Sequence, residues 1–388
     1  MSHPFAVLPG LYGALRKESF RYFYLNRSGT AVVLPWAGGR EWCRRAAHAP
    51  DTAAVPAEQG GGLRDVTGGW YDAGDHGKYA VTGALALWIL QSLDEWDLWD
   101  ECGCDLPALR DECRQELDFL LSLRIPGGCP GSALVCHKVS DRSWTDIPLD
   151  PANDAEERVL SGPTTAATLD FAAVAAQASR IWRAADSAYS STLLAAARES
   201  WDAALAHPDL YACASDPQGG GGAYPDSDAS DEFYWAACEL FLSTGERRFA
   251  DYLEASPHFL AADCSSLCGT PHGTQCASPI GMQSDEHHGT PPAVSSRLRE
   301  AFDWQTVHPL GTIALASDPR NPYCARARDS VIEAGLLWLD QSSAGGFPAA
   351  LEPSSCPWGS NSFVLNKALV MALASDFSDD RGLSVRLR

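Results

Sequence analysis

Helical periodicity is the feature that most limits what this chain can fold into. Apolar residues recur every three to four positions through most of the sequence, which is the spacing of a helix with one buried face. Alternation of period two, which predicts strands, is scarce. The pattern predicts ten helices, over Leu11–Tyr24, Lys78–Trp96, Leu106–Leu123, Thr165–Trp182, Tyr189–Leu205, Asp231–Leu242, Phe249–Leu260, Trp304–Leu315, Cys324–Leu339 and Asn361–Leu373.

The predicted helices follow one another in pairs joined by turns. This arrangement favours a helical-hairpin array, either an α/α barrel or a solenoid. The sequence has no repeat of fixed period, which argues against a regular solenoid. A long loop rich in Gly, Pro, Ser and His, Cys264–Pro292, is interpreted as a functional loop inside one domain because helices resume on both sides of it.

The composition is that of a globular protein, and its charge argues against some classes of partner. Of the 388 residues, 45% are hydrophobic, which is enough for a sizeable core, and the formal net charge is -21. Such a charge disfavours nucleic acid and anionic membrane surfaces as partners. The longest apolar stretch, Val81–Leu90, is too short to span a bilayer, and the N-terminus MSHPFAVLPG carries no visible signal peptide. The thirteen cysteines fit either an oxidising compartment or small buried hydrophobes, and their pairing cannot be deduced.

One loop carries the residues that point to chemistry. Residues 68–80 read GGWYDAGDHGKYA, with Asp72 and Asp75 three positions apart, two aromatic residues before them and a predicted helix after them. Enzymes that cleave glycosidic bonds usually use a pair of carboxyl groups. Asp72 and Asp75 are too close in sequence to be assigned as an opposing base and acid. One of them is therefore expected to accept a proton from water while the other orients that water. The alternative is that Asp75 caps the next helix and Asp72 forms an Asx turn.

The motif GGWYDAGDHGKY resembles the signature of glycoside hydrolase family 9, the inverting cellulases. Three other segments resemble that family in the same order: LYGALRKESFRYFYLNRSG at 11–29, YPDSDASDEFYWAACEL at 224–240 and WGSNSFVLNKALVMALA at 358–374. The resemblance implies an all-α fold, the (α/α)6 barrel or six-hairpin toroid. It also implies endoglucanase-type hydrolysis of β-1,4-glucosidic bonds in cellulose or related β-glucan, with Asp75 as the catalytic base and Asp72 as its water-positioning partner.

Aromatic side chains are the candidates for stacking on sugar rings. Trp70, Tyr71, Trp144 and Trp358 are predicted to bind substrate, and Trp70 and Trp358 stand at loop-to-helix junctions in the matched segments. Each aromatic ring can equally serve core packing.

Relatives in this family hold two kinds of metal ion, and the resemblance implies one of them, calcium, for this chain. Ser227, Asp228, Asp231 and Glu232 place oxygen ligands where relatives hold a structural calcium, a cation that takes six to eight oxygens. The alternative is that these acids complement the dipole of the next helix. At the positions where some relatives bind zinc, this chain has Ser28, Ala47, His48 and Tyr71. Only His48 is a zinc ligand there, and tetrahedral zinc needs the whole set, so no zinc is expected.

The C-terminus departs from the family pattern. Relatives continue past the last matched helix through a His-Arg motif and an acidic motif with the general acid, whereas no glutamate follows Glu352 here. We therefore expect residues 1–388 to form a single catalytic domain that is incomplete at the C-terminus and lacks the last helices. An incomplete gene model and a real short protein without acid catalysis both stay open.

Other functions also stay open. The chain is expected to be a monomer that acts on β-glucan outside the cell, as the resemblance implies. The alternatives are a catalytically impaired carbohydrate-binding remnant, an exo-acting enzyme on gluco- or glucosamine-oligosaccharides, and a structural toroid that binds no sugar.

Overall fold

The computed structural model describes residues 12–99, 106–129, 131–213, 219–262, 301–343, 360–380 and 382. The chain divides into two compact units. The first comprises residues 1–163 with 217–222, and the second comprises residues 164–216 with 223–388. A single catalytic domain over 1–388 stays a prediction.

In the residues that the structure describes, the first unit contains three α-helices, which are α1 (Gly13–Leu25), α2 (Ala80–Glu95) and α3 (Leu109–Ser122). Helices α2 and α3 pack against each other. Gly83 stands at this contact, where an added Cβ would lie 2.3 Å from Oε1 of Glu116. The missing side chain therefore sets how closely the two helices approach.

Short strands complete the first unit. They are β1 (Thr52–Ala54), β2 (Leu63–Asp65), β3 (Lys78–Tyr79), β4 (Val135–Cys136), β5 (Lys138–Asp141), β6 (Arg158–Leu160) and β7 (Pro163–Thr164), the last at the passage from the first unit to the second. Five of them form a sheet in the order β2-β1-β6-β5-β3. Only β1 and β6 run parallel, with Ala54 opposite Val159. The sheet places β3, at the end of the carboxylate loop, beside β5.

The second unit is helical in its described residues. Its helices are α4 (Thr165–Trp182), α5 (Ser187–Ala206), α6 (Ser230–Thr244), α7 (Arg247–Ala255), α8 (His308–Ser317), α9 (Cys324–Ser343) and α10 (Asn361–Phe377). Helix α4 is buried on all sides except at Arg180 and Ile181, which makes it the centre of this unit. Its many alanines allow α5 and α6 to pack closely against it. Thr164 caps its N-terminus by accepting from Ala167 N at 3.2 Å.

Each of the ten predicted segments contains a helix, so that prediction is confirmed. The ends differ most at α7, which ends at Ala255, and at α8, which begins at His308. The long loop Cys264–Pro292 lies outside the described residues. Within the described ranges, none of the helices is both long enough and apolar enough to cross a bilayer.

Candidate active site

The carboxylate loop occupies residues 68–77 of the first unit and leads through β3 into α2. Gly69 has a φ of +78°, and a Cβ there would lie 2.6 Å from the ring of Phe119, so only glycine fits this position. Asp72 N donates to the carbonyl of Gly77 at 2.9 Å and closes the loop on itself. Both aspartates are therefore held on one tight turn.

Asp72 is half-buried and faces α2. Its Oδ1 accepts a hydrogen bond from Thr82 Oγ1 at 2.7 Å, which fixes the side chain against the first turn of that helix. The hydroxyl of Tyr22 lies 3.4 Å from the Asp72 carbonyl oxygen and links α1 to the same loop.

Asp75 is only 6% exposed and is held from two sides. Its Oδ2 accepts from the hydroxyl of Tyr79 at 2.6 Å, and its carbonyl accepts from Thr145 Oγ1 at 2.7 Å. Helix α2 begins at Ala80 with Tyr79 at the N-cap position and no side-chain cap. The capping alternative for Asp75 is therefore wrong.

A buried ion pair anchors the loop to the sheet. Lys78 is fully buried, and its Nζ lies 2.8 Å from Oδ2 of Asp51. The same ammonium donates to the carbonyls of Val66 at 2.7 Å and Gly68 at 2.8 Å. Burial lowers the pKa of Lys78 to about 8, although the Asp51 carboxylate acts in the opposite direction.

Arg158 extends this anchor towards Asp75. Its guanidinium lies 3.1 Å from Asp51 Oδ1 and 2.6 Å from Asp141 Oδ1. Asp141 Oδ2 in turn lies 2.5 Å from Thr145 Oγ1, the hydroxyl oxygen that lies 2.7 Å from the Asp75 carbonyl oxygen. Each of these four buried charged groups, on Asp51, Lys78, Arg158 and Asp141, contacts a group of opposite sign, which is the condition for a buried ion pair to persist.

An open cavity of about 230 Å³ lies beside the loop. It is lined by Tyr22, Phe23, Trp70, Tyr71, Asp72, Tyr79, Thr82, Gly83 and Ala86. Two predicted substrate-binding residues, Trp70 and Tyr71, thus lie at the cavity beside the predicted catalytic Asp72. Aromatic walls with a few convergent polar groups are typical of a small-molecule or glycan site.

Trp70 is held rigidly at this cavity. Its Nε1 donates to Glu112 Oε1 at 2.8 Å and its backbone N donates to Glu116 Oε2 at 2.9 Å. Burial raises the pKa of Glu116 to about 8, and the Trp70 backbone donor opposes that rise. The ring meets Phe23 with centroids 4.8 Å apart.

Sequence reasoning missed several cavity residues: Tyr22, Phe23, Tyr79, Thr82, Gly83 and Ala86. The first two belong to α1, where an aromatic run reads as core packing. The last three belong to α2, where Ala86 is four residues from Thr82 and three from Gly83, so the helical spacing could have grouped Ala86 with each of them.

The other two predicted substrate-binding residues do not join this group. Trp144 is 65% exposed on the stretch after β5 and does not line the cavity. Trp358 lies outside the described residues. Their contact with a glycan stays a prediction.

The second unit holds a buried acidic cluster at the start of α6. Asp231 and Glu232, two of the predicted calcium ligands, lie in its first turn, where their charges also complement the helix dipole. Asp226 and Asp170 join them, and neither was predicted. Both oxygens of Asp170, both of Glu232 and Oδ2 of Asp226 are buried without a hydrogen-bond donor.

Burial and mutual repulsion shift these acids in one direction. Burial first, and the neighbouring carboxylates second, raise the pKa of Glu232 and of Asp170 well above the usual range. Burial raises the pKa of Asp231 to about 7 and that of Asp226 to about 6. Unpaired buried carboxylates either bind protons or bind a cation, so calcium fits the chemistry of this donor set.

The two remaining predicted calcium residues differ from this cluster. Ser227 and Asp228 have exposed side chains, and Asp228 Oδ1 accepts from the backbone N of Ser230 at 2.9 Å. Their participation in binding calcium stays a prediction.

Of the four positions that correspond to a zinc site in some relatives, His48 and Tyr71 contact each other through their side chains. His48 Nδ1 lies 2.5 Å from the hydroxyl of Tyr71. Burial, followed by the nearby Arg158, lowers the pKa of His48 to about 4. Burial also raises the pKa of Tyr71 to about 12. The expected absence of zinc stays a prediction.

The described residues contain a second group with metal-ligating atoms, formed by His48, Asp141 and Asp154, all within 4.8 Å of one another. Asp141 is paired with Arg158, and Asp154 Oδ2 lies 2.6 Å from His76 Nδ1. Both carboxylates of this group thus already contact a nitrogen of a neighbouring side chain. In the acidic cluster, by contrast, both oxygens of Asp170 and both of Glu232 have no hydrogen-bond partner.

The chain is similar to known glycoside hydrolases along almost its whole length. The family model described as glycosyl hydrolase family 9 matches residues 12–385. Endoglucanase C of Cellulomonas fimi is 37% identical over 410 residues, covering 98% of this chain and 34% of that protein. A cellulose 1,4-beta-cellobiosidase of Acetivibrio thermocellus is 34% identical over 420 residues, covering 97% of this chain and 45% of that protein.

The chain belongs to glycosyl hydrolase family 9. The resemblance found in the sequence is therefore confirmed. The chain spans less than half the length of these two curated relatives.

Solved structures of family 9 share the fold. The crystal structure of endoglucanase J30 aligns with a TM-score of 0.78 and 26% identity over 100% of this chain and 68% of that chain. A Zn-binding triple mutant of J30 aligns with a TM-score of 0.79 at the same identity and coverage. The predicted all-α, (α/α)6-barrel fold class is thereby confirmed. That the fold is incomplete at the C-terminus stays a prediction.

Proposed function

We propose that this family 9 chain acts as an inverting glycoside hydrolase on β-1,4-glucosidic bonds of cellulose or a related β-glucan, with endoglucanase-type cleavage. The observation that carries the proposal is the placement of Asp72 and Asp75 on one turn beside an aromatic cavity. The names of the relatives, an endoglucanase and a cellobiosidase, support the same substrate class. A polymer of this kind is attacked outside the cell, so we also propose secretion.

In the proposed mechanism Asp75 is the base that accepts a proton from the attacking water. Asp72, fixed by Thr82, orients that water from the cavity side. These two residues supply the water-activating half of an inverting reaction. The other half is a general acid across the scissile bond, about 6.5–9.5 Å from the base, which protonates the leaving oxygen.

Calcium is proposed as a structural ion of the second unit. Asp231 and Glu232 would hold it, together with Ser227 and Asp228. The donorless oxygens of the buried cluster support this proposal. Bound calcium would supply the positive charge that this cluster lacks, and no catalytic step is assigned to it.

The hydrolase proposal is tested by the release of reducing ends from soluble β-glucan by the purified chain. We expect Asp75→Ala to lower the rate by about 10²–10⁴-fold, the usual contribution of general acid–base catalysis. Binding of cello-oligosaccharides should persist in that variant because Asp75 does not line the cavity. A wild-type rate no higher than that of Asp75→Ala, with glycan binding retained, would favour the carbohydrate-binding alternative.

The cellobiosidase relative favours a second candidate, exo-acting cleavage of oligosaccharide ends. The two modes differ in how viscosity falls as reducing ends accumulate. A rapid fall in viscosity supports internal cleavage, whereas release of short sugars at nearly constant viscosity supports the exo mode.

A further inference from the structure

Tyr79 makes a directed hydrogen bond to the proposed base. It is the last residue of β3, is 2% exposed, and its hydroxyl oxygen lies 2.6 Å from Asp75 Oδ2. The backbone N of Gly222 donates to the same hydroxyl oxygen at 2.7 Å. Since a tyrosine hydroxyl has a single proton and Gly222 occupies its acceptor side, that proton is donated to Asp75.

The space around this pair is kept open by glycines. A Cβ on Gly77 would lie 2.4 Å from the Tyr79 hydroxyl oxygen and 2.7 Å from Asp75 Oδ2. A Cβ on Gly221 would lie 2.3 Å from the same hydroxyl oxygen. Side chains at either position would therefore displace the bond, so the two glycines are part of the arrangement.

Gly222, whose backbone N donates to the Tyr79 hydroxyl oxygen, is itself held in place. Fully buried Lys138 donates from Nζ to the carbonyl of Gly222 at 2.9 Å. Gly220 N donates to the carbonyl of Asp141 at 2.7 Å, which fastens the glycine segment 219–222 to β5. Lys138 also belongs to β5, the strand that pairs with β3. The sheet thus fixes both the tyrosine and its partner.

We propose that Tyr79 is a positioning residue for Asp75: it holds Oδ2 and so reserves Oδ1 for the attacking water. This inference rests on the proposed function, in which Asp75 is the base. Nothing in the sequence motif assigned a role to Tyr79. Burial and the adjacent Asp75 carboxylate raise the pKa of Tyr79 far above its usual range, so the hydroxyl keeps the proton that it donates.

Tyr79→Phe tests the inference because it removes only the hydroxyl. A hydrogen bond to a charged group is strong enough that we expect kcat to fall about tenfold, with KM within about twofold of the wild-type value. The acid limb of the kcat/KM profile should move to higher pH by about one unit, because the variant lacks a donor that favours the ionised carboxylate. A purely structural role would change the melting temperature and leave the acid limb in place.

A second readout needs no turnover. In protein labelled with [ζ-13C]tyrosine, the resonance that disappears in Tyr79→Phe belongs to Tyr79, one of eleven tyrosines. That resonance should shift in Asp75→Ala, which removes its acceptor. The matched control is Tyr252→Phe on α7 in the other unit, which should leave kcat, the acid limb and the Tyr79 resonance unchanged.

The outcomes separate this inference from the proposed function. Hydrolysis that depends on Asp75 but is unchanged in kcat and acid limb by Tyr79→Phe overturns the positioning role alone. A Tyr79 resonance whose chemical shift is unchanged in Asp75→Ala also overturns the positioning role. Hydrolysis that is absent, or that survives Asp75→Ala, overturns the role of Asp75 as base, and the positioning role falls with it.

Discussion

At the scale of single residues, buried charges decide how the proposed site is held. Asp51, Lys78, Arg158 and Asp141 neutralise one another in pairs beneath the carboxylate loop. Removing one member would leave an uncompensated buried charge, which is far costlier than losing a surface pair. The sequence showed these residues only as scattered charges, since their partners lie up to 107 positions away.

His48 gives a pH prediction at this scale. Its pKa is lowered from 6.5 to about 4 in the folded chain, chiefly by burial, so the unfolded chain binds the proton more readily. Stability from this group is fully present above pH 6.5 and is lost as pH falls from about 6.5 to about 4. We expect a loss on the order of 2 kcal/mol in that window, measured as the free energy of unfolding in urea.

The control for this prediction is a histidine substitution at the surface. His48→Asn should flatten the dependence of the unfolding free energy between pH 6.5 and 4. His207→Asn, at an exposed position just after α5, should leave it unchanged. Equal pH dependence in His48→Asn and the wild type would contradict the assignment.

At the scale of elements, the contact between α2 and α3 opposes the intrinsic preference of its residues. Glycine inside a helix costs about 1 kcal/mol relative to alanine, so propensity alone favours Gly83→Ala. The added Cβ, however, would lie 2.3 Å from Oε1 of Glu116, whose other oxygen holds Trp70 N. Packing therefore decides this position, and the sequence alone gives no sign of it.

We expect Gly83→Ala to lower the free energy of unfolding by about 1–3 kcal/mol, as overpacking usually does. It should also weaken glycan binding because the displaced Glu116 carboxylate supports Trp70. Gly13→Ala, at the start of α1 with nothing within 4 Å of the new Cβ, is the matched control and should be neutral or slightly stabilising. A Gly83→Ala chain as stable as the control would show that Glu116 yields without cost.

At the scale of the whole molecule, the excess of acidic groups governs how stability depends on pH and on calcium. The formal net charge is -21, and among its described residues the second unit buries four carboxyl groups, on Asp170, Asp226, Asp231 and Glu232, that contact no described cationic side chain. Because the pKa values of Asp231 and Asp226 are raised to about 7 and 6, their stabilising contribution is present at low pH and is lost as pH rises through those values. A bound calcium would reverse this trend.

Calcium is therefore expected to raise the melting temperature at neutral pH. At a hundredfold excess over Kd, binding adds about 2.7 kcal/mol, which corresponds to a rise of several degrees. Glu232→Gln should abolish the response, and it should melt higher than the wild type in chelator because it removes a carboxyl group that must take up a proton on folding at neutral pH. Asp251→Asn, exposed on α7, should keep the wild-type response. Equal melting of the wild type in calcium and in chelator would remove the calcium proposal.

The sequence alone determined the helices, the family and the loop that carries Asp72 and Asp75. Helical periodicity and a contiguous motif are local properties, so they are legible without knowing what packs against them. The sequence pattern did not predict the strands, because each is two to four residues long and many pair with distant positions, as Ala54 does with Val159. The tertiary structure alone decided that Tyr79 faces Asp75, that Tyr22 and Phe23 line the cavity, and that Asp170 joins the acids of α6. Those contacts join residues far apart in the chain or turn on side-chain direction, and neither leaves a periodic signal in the sequence.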